Sequence, residues 1–372
     1  MYNMNDVKYI FIDDESNEAV QSIIHGLNDT GKILIEQLSF SREDSFESLT
    51  EKIKEKISTG TKGILVDLCL NGEGANSLTF TASPLAQHIR TLASVNEIPH
   101  LPMVLCSTDE RLRQTYDVDN ACHDLYDYRF VKSGDIKWEK VSTKMAALVD
   151  GYSSIHLEDS FKDIIKRENL DTLDSRIFDR IGSGININTY DYSRFLIKDL
   201  FQHSGPLIKE TVLAARLGID IKQSQDWEKL LELIEPKIKY KGVFSSGWKR
   251  YWADLLDSFF KQYSGNKPLS IFNAKERVEI IKHATGIEGL KVAIPIEFCT
   301  SSYYNTICEA LKKPIDSLEA YEVYESYDLR PWQEAKYVSF YAIASGRYSQ
   351  IPVKSSELDR FKQDQKIMHD ED

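Results

Sequence analysis

The sequence predicts an α/β fold: a doubly wound parallel sheet over residues 1–150, joined to a mainly helical part over residues 151–372. Three observations predict it. Short apolar runs rich in β-branched residues alternate with amphipathic segments of about ten residues. One of these runs, Gly63-Ile64-Leu65-Val66, is apolar without alternation, as in a strand covered on both faces. After residue 150 the alternation stops and helical spacing takes over.

Val7–Ile12 (VKYIFI) reads as the first strand and ends in Asp13-Asp14-Glu15. Ser16–Leu27 places Val20, Ile23, Ile24 and Leu27 at helical spacing, with Gly26 tolerated and Asn28–Gly31 closing the helix. Lys32–Leu38 is a second strand, and Glu47–Ile57 an amphipathic helix with Leu49, Ile53 and Ile57 on one face. The third strand is the Asp67 run, KGILVDLCLN, turned by Asn71-Gly72. An irregular Gly/Ser/Thr-rich segment, Gly72–Ser83, leads to a helix over Pro84–Leu92, with Ser83 as N-cap and Pro84 at the first helical position. Pro102–Cys106 (PMVLC) is a fourth strand ending at Ser107-Thr108, followed by a weak helix within Leu112–Leu125. Tyr128–Val131 (YRFV) is the fifth, ending at Lys132-Ser133-Gly134, and Trp138–Val149 is the last helix.

Composition bounds the function. With 42% hydrophobic and 28% charged residues the chain is an ordinary globular one. Net charge is −12, of which residues 1–150 carry −9, from 15 Lys/Arg against 24 Asp/Glu. Neither part has the basic excess of a nucleic-acid-binding module. No apolar run reaches membrane-span length, and the start lacks the basic and apolar regions of a signal peptide. Cys69, Cys106, Cys122, Cys299 and Cys308 are scattered without a CxxC pair, as expected of reduced residues in a cytoplasmic protein.

Right-handed crossovers bring the carboxyl ends of parallel strands to one edge, where α/β folds place their sites. Asp13, Asp14, Asp67, Ser107 and Lys132 then meet there. Crowded carboxylates repel one another, and a divalent cation relieves that repulsion. Mg²⁺ takes oxygen ligands and bridges carboxylates to phosphoryl groups. Asp67 can offer one oxygen to the metal and act as nucleophile with the other, forming an acyl phosphate. The Ser107 hydroxyl and the Lys132 ammonium are suitable donors to the phosphoryl oxygens. Taken singly, each residue has a bland reading as a solvated turn or strand-end cap; the set of five is what points to phosphoryl chemistry.

That set resembles a response-regulator receiver domain over residues 7–150: an acidic pair after the first strand, an Asp in the third, a hydroxyl after the fourth and a Lys after the fifth. The resemblance implies a five-stranded sheet in the order 2-1-3-4-5. It implies that Asp67 is the phosphoacceptor, and that Asp13, Asp14, Asp67 and the Cys69 backbone carbonyl hold Mg²⁺. Ser107 would be the switch hydroxyl, and Lys132 would contact the phosphoryl group. The sequence departs from the family pattern at Asn71 and Ser133, each where proline is usual, and at Arg129, which takes the aromatic switch position beside Tyr128. The Gly72–Ser83 loop is longer than usual and is expected beside the acceptor.

Gly151–Ser154 reads as a linker to the second part. Leu157–Arg167, Leu173–Ile181, Tyr190–Phe201, Leu207–Leu217, Asp226–Leu233, Trp248–Tyr263, Ala274–Ala284, Asn305–Leu311 and Pro331–Ser345 read as helices. A turn at Gly182–Asn188 and a break at His203–Pro206 interrupt them, Gly218 is a C-cap, and Pro236 is expected to disturb its helix. Val292–Phe298 is a strand or an extended segment, with Pro295 against a central strand. The tail from Ser355 is highly charged. No repeat of fixed period, P-loop, GxSxG, HExxH or paired Cys/His set occurs. His203 and His283, the Trp248/Trp252/Phe259 stripe and the Gly242–Gly247 loop with Lys249 and Arg250 could each serve as a site, but core packing or solvation explains each more simply.

The function expected is a two-component phosphorelay response regulator with non-DNA-binding output. A histidine kinase or phosphotransfer protein phosphorylates Asp67, and the chain forms a homodimer or serves as a phosphate sink, in a setting that includes bacterial phage-defence signalling. No catalysis is expected beyond phosphoryl uptake and autodephosphorylation. The alternative is a phosphorylation-independent pseudo-receiver adaptor; an enzyme in residues 151–372 has no catalytic set behind it.

Overall fold

The structure is a computed structural model. It describes residues 7–72, 74, 76–116, 122–132, 134–157, 160–181, 188–346 and 351–370. Ser133 therefore lies outside the described residues, as do most of the Gly182–Asn188 turn and the middle of the segment Leu112–Leu125.

Five strands form one parallel sheet in the order β2-β1-β3-β4-β5: β1 Lys8–Ile12, β2 Leu34–Gln37, β3 Gly63–Asp67, β4 Met103–Ser107 and β5 Tyr128–Val131. The central strands are buried on both faces, which is why they read as unbroken apolar runs. Helices connect them: α1 Glu18–Asn28, α2 Phe46–Ser58, α3 Ala82–Ser94, the short α4 Asp109–Arg111 and α5 Trp138–Leu157. Asn17 and Ser45 cap α1 and α2 by accepting the Val20 and Ser48 backbone N–H groups. Ile10, Ile12, Ile64, Val66, Met103 and Leu105 pack with α2 and α3 in one core, and Tyr9 on the opposite face donates its hydroxyl to the Met145 carbonyl of α5 at 2.8 Å.

Several expectations are corrected. Helix α3 begins at Ala82 after Thr81, so Ser83 and Pro84 lie inside its first turn rather than at its cap. Among the described residues of the weak fourth helix, Leu112–Tyr116 is a π-helical turn, preceded by the short α4. Gly151–Ser154 is no linker: it lies inside α5, whose apolar spacing continues through Leu148, Tyr152 and Ile155. A helix-interior glycine costs about 1 kcal/mol relative to alanine. Here it has a packing reason, because a Cβ on Gly151 would stand 2.0 Å from the Phe244 ring.

The chain forms two compact units. The first comprises Met1–Glu168, Ile181–Ile197 and Gly242–Trp248. Its later segments add α6 Phe161–Ile165, α8 Thr189–Arg194 and a loop, Gly242–Trp248, that lies on α5 and β5. Phe244, itself at φ +68°, fills the Gly151 notch, and Trp248 meets the Tyr128 ring edge-on at 6.2 Å with Lys144 against both rings.

The second unit comprises Asn169–Arg180, Lys198–Lys241 and Lys249–Asp372. Helices α9 Glu210–Leu217, α10 Trp227–Ile238, α11 Ala253–Lys261 and α12 Ala274–Thr285 surround one core, in which Leu213, Ile234, Phe260 and Val278 are buried. Gly218 is the left-handed C-cap of α9 (φ +74°), as expected. Helix α10 runs through Pro236 to Ile238, because that proline falls in the last turn and the apolar face Trp227, Leu230, Ile234, Ile238 continues past it. The Trp248–Tyr263 helix is wrong at its start: Tyr251-Trp252 (β7) pairs antiparallel with Leu207–Ile208 (β6), and α11 begins at Ala253. Asn305–Leu311 is likewise not a helix, and Pro331–Ser345 is helical only towards its end. They contain the strands β8 Thr306–Ile307 and β11 Tyr337–Ser339, paired with β9 Pro314–Ile315 and β10 Ala320–Glu322, and β11 runs into the short α13 Phe340–Ala344. Val292–Phe298 is extended, with one bridge from Val292 to Ile219.

Candidate functional site

The carboxyl ends of β1, β3, β4 and β5 meet at one edge, and the five polar residues picked out by the sequence lie at those ends. Asp13, Asp14 and Asp67 are buried, with carboxylate oxygens all within 4.8 Å of one another. Lys132 Nζ lies 2.6 Å from Asp13 Oδ2 and 3.1 Å from Asp67 Oδ1. The Lys132 backbone N–H donates to the Ser107 carbonyl at 2.7 Å, which extends the β4–β5 ladder and fixes the lysine beside β4. Asp13 Oδ1 accepts the Glu15 backbone N–H at 3.0 Å.

The site is only half satisfied internally. Asp14 Oδ2 and Ser107 Oγ are buried without a hydrogen-bond partner, and Asp67 Oδ1 has only the ion pair with Lys132 rather than an aligned hydrogen bond. Buried polar atoms in this condition are expensive unless water, an ion or a ligand completes them. Burial pushes the Asp67 carboxyl up to about 6; Lys132 pulls against that rise, Asp13 adds to it and Arg111 opposes it. Asp14 is raised too, by burial first and then by the Asp13 and Glu15 carboxylates. Burial alone would lower the Lys132 ammonium, but Cys106, Asp67 and Asp13 around it outweigh burial and hold it above the ordinary lysine value. Three crowded carboxylates, two of which keep an oxygen with no hydrogen-bond partner, can hold a metal ion.

The long loop after β3 closes over the acidic pair. The Asn76 backbone N–H donates to the Asp14 carbonyl at 3.1 Å, and Leu78 N–H donates to the Leu70 carbonyl at 2.7 Å. Gly74 passes so close that a Cβ there would stand 2.6 Å from the Asp14 carbonyl oxygen. On β5, the Arg129 guanidinium lies 4.9 Å from the centre of the Tyr116 ring.

Sequence reasoning missed Arg111. Its guanidinium nitrogen NH1 is 3.9 Å from Asp67 Oδ2. No local signal marks it, since an arginine four residues past Ser107, at the end of the short α4, reads as a surface residue until its neighbours are known. The other candidates disperse. Lys249 bridges Glu210 and Glu235, and Arg250 donates to the Phe201 carbonyl, so both cations are engaged within the second unit. His203 is buried with Nε2 2.9 Å from Glu325; burial first, then Lys336 and Lys209, lower its pKa to about 3 and keep it neutral. His283 is exposed in the last turn of α12. Trp252 and Phe259 are core residues.

No protein-family model matches the sequence, and no curated protein matches it. Among the described residues no helix is long and apolar enough to cross a membrane.

Proposed function

We propose that the first unit is a phosphoacceptor module of the response-regulator receiver class, and that the chain is a phosphorelay regulator with non-DNA-binding output. One observation carries this reading: three buried carboxylates, a partly buried lysine and a buried hydroxyl with no hydrogen-bond partner converge at one edge of a 2-1-3-4-5 parallel sheet. A structural ion pair has no use for three unfilled valences; a phosphoryl group and its cation fill them.

In the step proposed, an Asp67 carboxylate oxygen forms a bond to phosphorus while the bond to the donor breaks. The donor is a phosphohistidine nitrogen of a kinase or phosphotransfer protein, and its electron pair leaves with the imidazole. Lys132 and Ser107 receive the phosphoryl oxygens, and Lys132 neutralises the charge that arrives on Asp67. Asp13, Asp14, Asp67 and the Cys69 carbonyl form the set that would hold Mg²⁺, which when bound offsets phosphoryl charge. Water attack on phosphorus regenerates Asp67 and releases inorganic phosphate. A cytoplasmic location, a homodimer and a role as phosphate sink belong to the same proposal.

Incubation with acetyl phosphate and Mg²⁺ tests it by intact mass: one phosphoryl group is expected on the wild type and none on Asp67→Asn. Lys132→Ala is expected to keep partial labelling and to lose the change in shape or oligomer size that follows it. Failure of the wild type to take label, or equal labelling of Asp67→Asn, overturns the assignment. The Arg129–Tyr116 stack favours one second reading, a phosphorylation-independent adaptor, because it fills the usual switch position. On that reading the wild type is not labelled.

A further inference from the structure

We infer that Arg111 is a phosphoryl-binding residue of the Asp67 site, standing on the opposite side of the acceptor from Lys132; this rests on the phosphoacceptor reading above. The two cations approach different oxygens of one carboxylate, Lys132 at Oδ1 (3.1 Å) and Arg111 at Oδ2 (3.9 Å). They also differ in setting. The Lys132 side chain is 16% exposed, whereas the Arg111 side chain is 46% exposed, on the solvent side of Asp67.

The donors of Arg111 are unspent. Among the described residues its guanidinium makes no hydrogen bond, only the long ion pair to Asp67. The buried Arg277, by contrast, donates to the Leu269, Arg216 and Tyr304 carbonyls. A guanidinium carries five N–H donors in a fork that matches two oxygens of a phosphoryl group. Its position is held by backbone, since the Thr108 hydroxyl accepts the Arg111 N–H and the Thr108 carbonyl accepts the Leu112 N–H. Gly72 keeps the opposite wall low: a Cβ there would come within 3.9 Å of Arg111 NH2 and 3.3 Å of Asp14 Oδ2.

This placement gives Arg111 effects of opposite sign on two ligands. Its charge favours an anionic phosphoryl group and opposes a divalent cation held by Asp13, Asp14 and Asp67. A bland surface arginine paired loosely with Asp67 would give only the second effect. The test uses the full chain and two probes, Mg²⁺ alone and beryllofluoride at saturating Mg²⁺, each titrated calorimetrically into wild type, Arg111→Ala and Arg111→Lys. Arg111→Ala is expected to bind beryllofluoride about tenfold more weakly, the loss of one charge-assisted contact. It is expected to bind Mg²⁺ alone about twofold more tightly. Arg111→Lys is expected to recover only part of the beryllofluoride affinity, because an ammonium lacks the fork. Unchanged beryllofluoride affinity in Arg111→Ala, with an unchanged urea midpoint, overturns the inference. If the wild type itself binds no beryllofluoride, it is the phosphoacceptor reading that has failed, before any variant is compared.

Discussion

Two ion pairs with buried carboxylates flank β5, Arg90–Asp127 before it and Lys132–Asp67 after it, and their surroundings are opposite in kind. Arg90 donates to Asp127 Oδ2 at 2.9 Å, to the Leu125 carbonyl through two nitrogens and to the Leu101 carbonyl at 2.8 Å. Asp127 Oδ2 also accepts the Met103 N–H, and Asp127 Oδ1 accepts the Tyr152 and Ser193 hydroxyls. The Tyr190 ring covers the guanidinium at 4.1 Å. Both carboxylate oxygens are spent within the protein. At the other end of the strand, Asp14, Asp67 and Ser107 keep atoms with no hydrogen-bond partner. Burial costs both pairs desolvation. The first recovers it from its own neighbours; the second leaves part of it unrecovered.

This contrast can be broken from either side. The largest expected effect is on the satisfied pair: Arg90→Ala strands the Asp127 carboxylate and should cost about 3–5 kcal/mol of stability, read from urea unfolding. The unsatisfied pair should respond in the other direction. Asp67→Asn in metal-free protein is expected to stabilise by about 1–3 kcal/mol at pH 7.5, the ceiling being a two-unit shift at about 1.4 kcal/mol per unit. The pH profile follows from the raised carboxyl. In the folded protein Asp67 titrates near 6 rather than at its ordinary value near 4. The charged form therefore penalises the fold progressively as pH rises through that window. The asparagine variant does not feel this penalty, so its advantage should grow from pH 4 to 6, level off above, and vanish below 4. A pH-independent difference would mean that desolvation of Asp67 is not its source. The smallest effect is ligand-linked: Mg²⁺ at ten times its dissociation constant should stabilise the wild type by about 1.4 kcal/mol. Asp14→Asn should lose most of that gain, and Asp127→Asn, although itself destabilised, should keep it.

How much of this could be read from the chain depends on which physical signal each residue leaves. The three central strands were legible because a strand buried on both faces has no polar alternation, as in GILVD and PMVLC. The polar residues at strand ends stood out against the apolar runs, so Asp13, Asp14, Asp67, Ser107 and Lys132 could all be named. Arg90 and Arg111 could not, because an arginine in or beside a helix reads as a surface residue until its neighbours are known. Arg90 is a buried member of α3 whose partner, Asp127, lies 37 positions away. The second unit was legible mainly where helices carry an aliphatic stripe and a clear stop, as at Leu217-Gly218. It was misread where aromatic residues dominate: Tyr251 and Trp252 are equally at home in a strand or a helix stripe, and pairing with Leu207–Ile208 decides for strand.

Phe244 in its left-handed conformation against Gly151 sets an order of events for a chain made from its amino end. The notch on α5 emerges from the ribosome with nothing to fill it. Its plug is still 93 positions away in sequence. At roughly 5–20 residues per second, Phe244 follows about 5–20 s later. Over that interval the nascent sheet can carry its acidic edge complete while the β5–α5 face lies bare. The newborn protein is thus exposed to premature association on that face, and not at the Asp67 pocket.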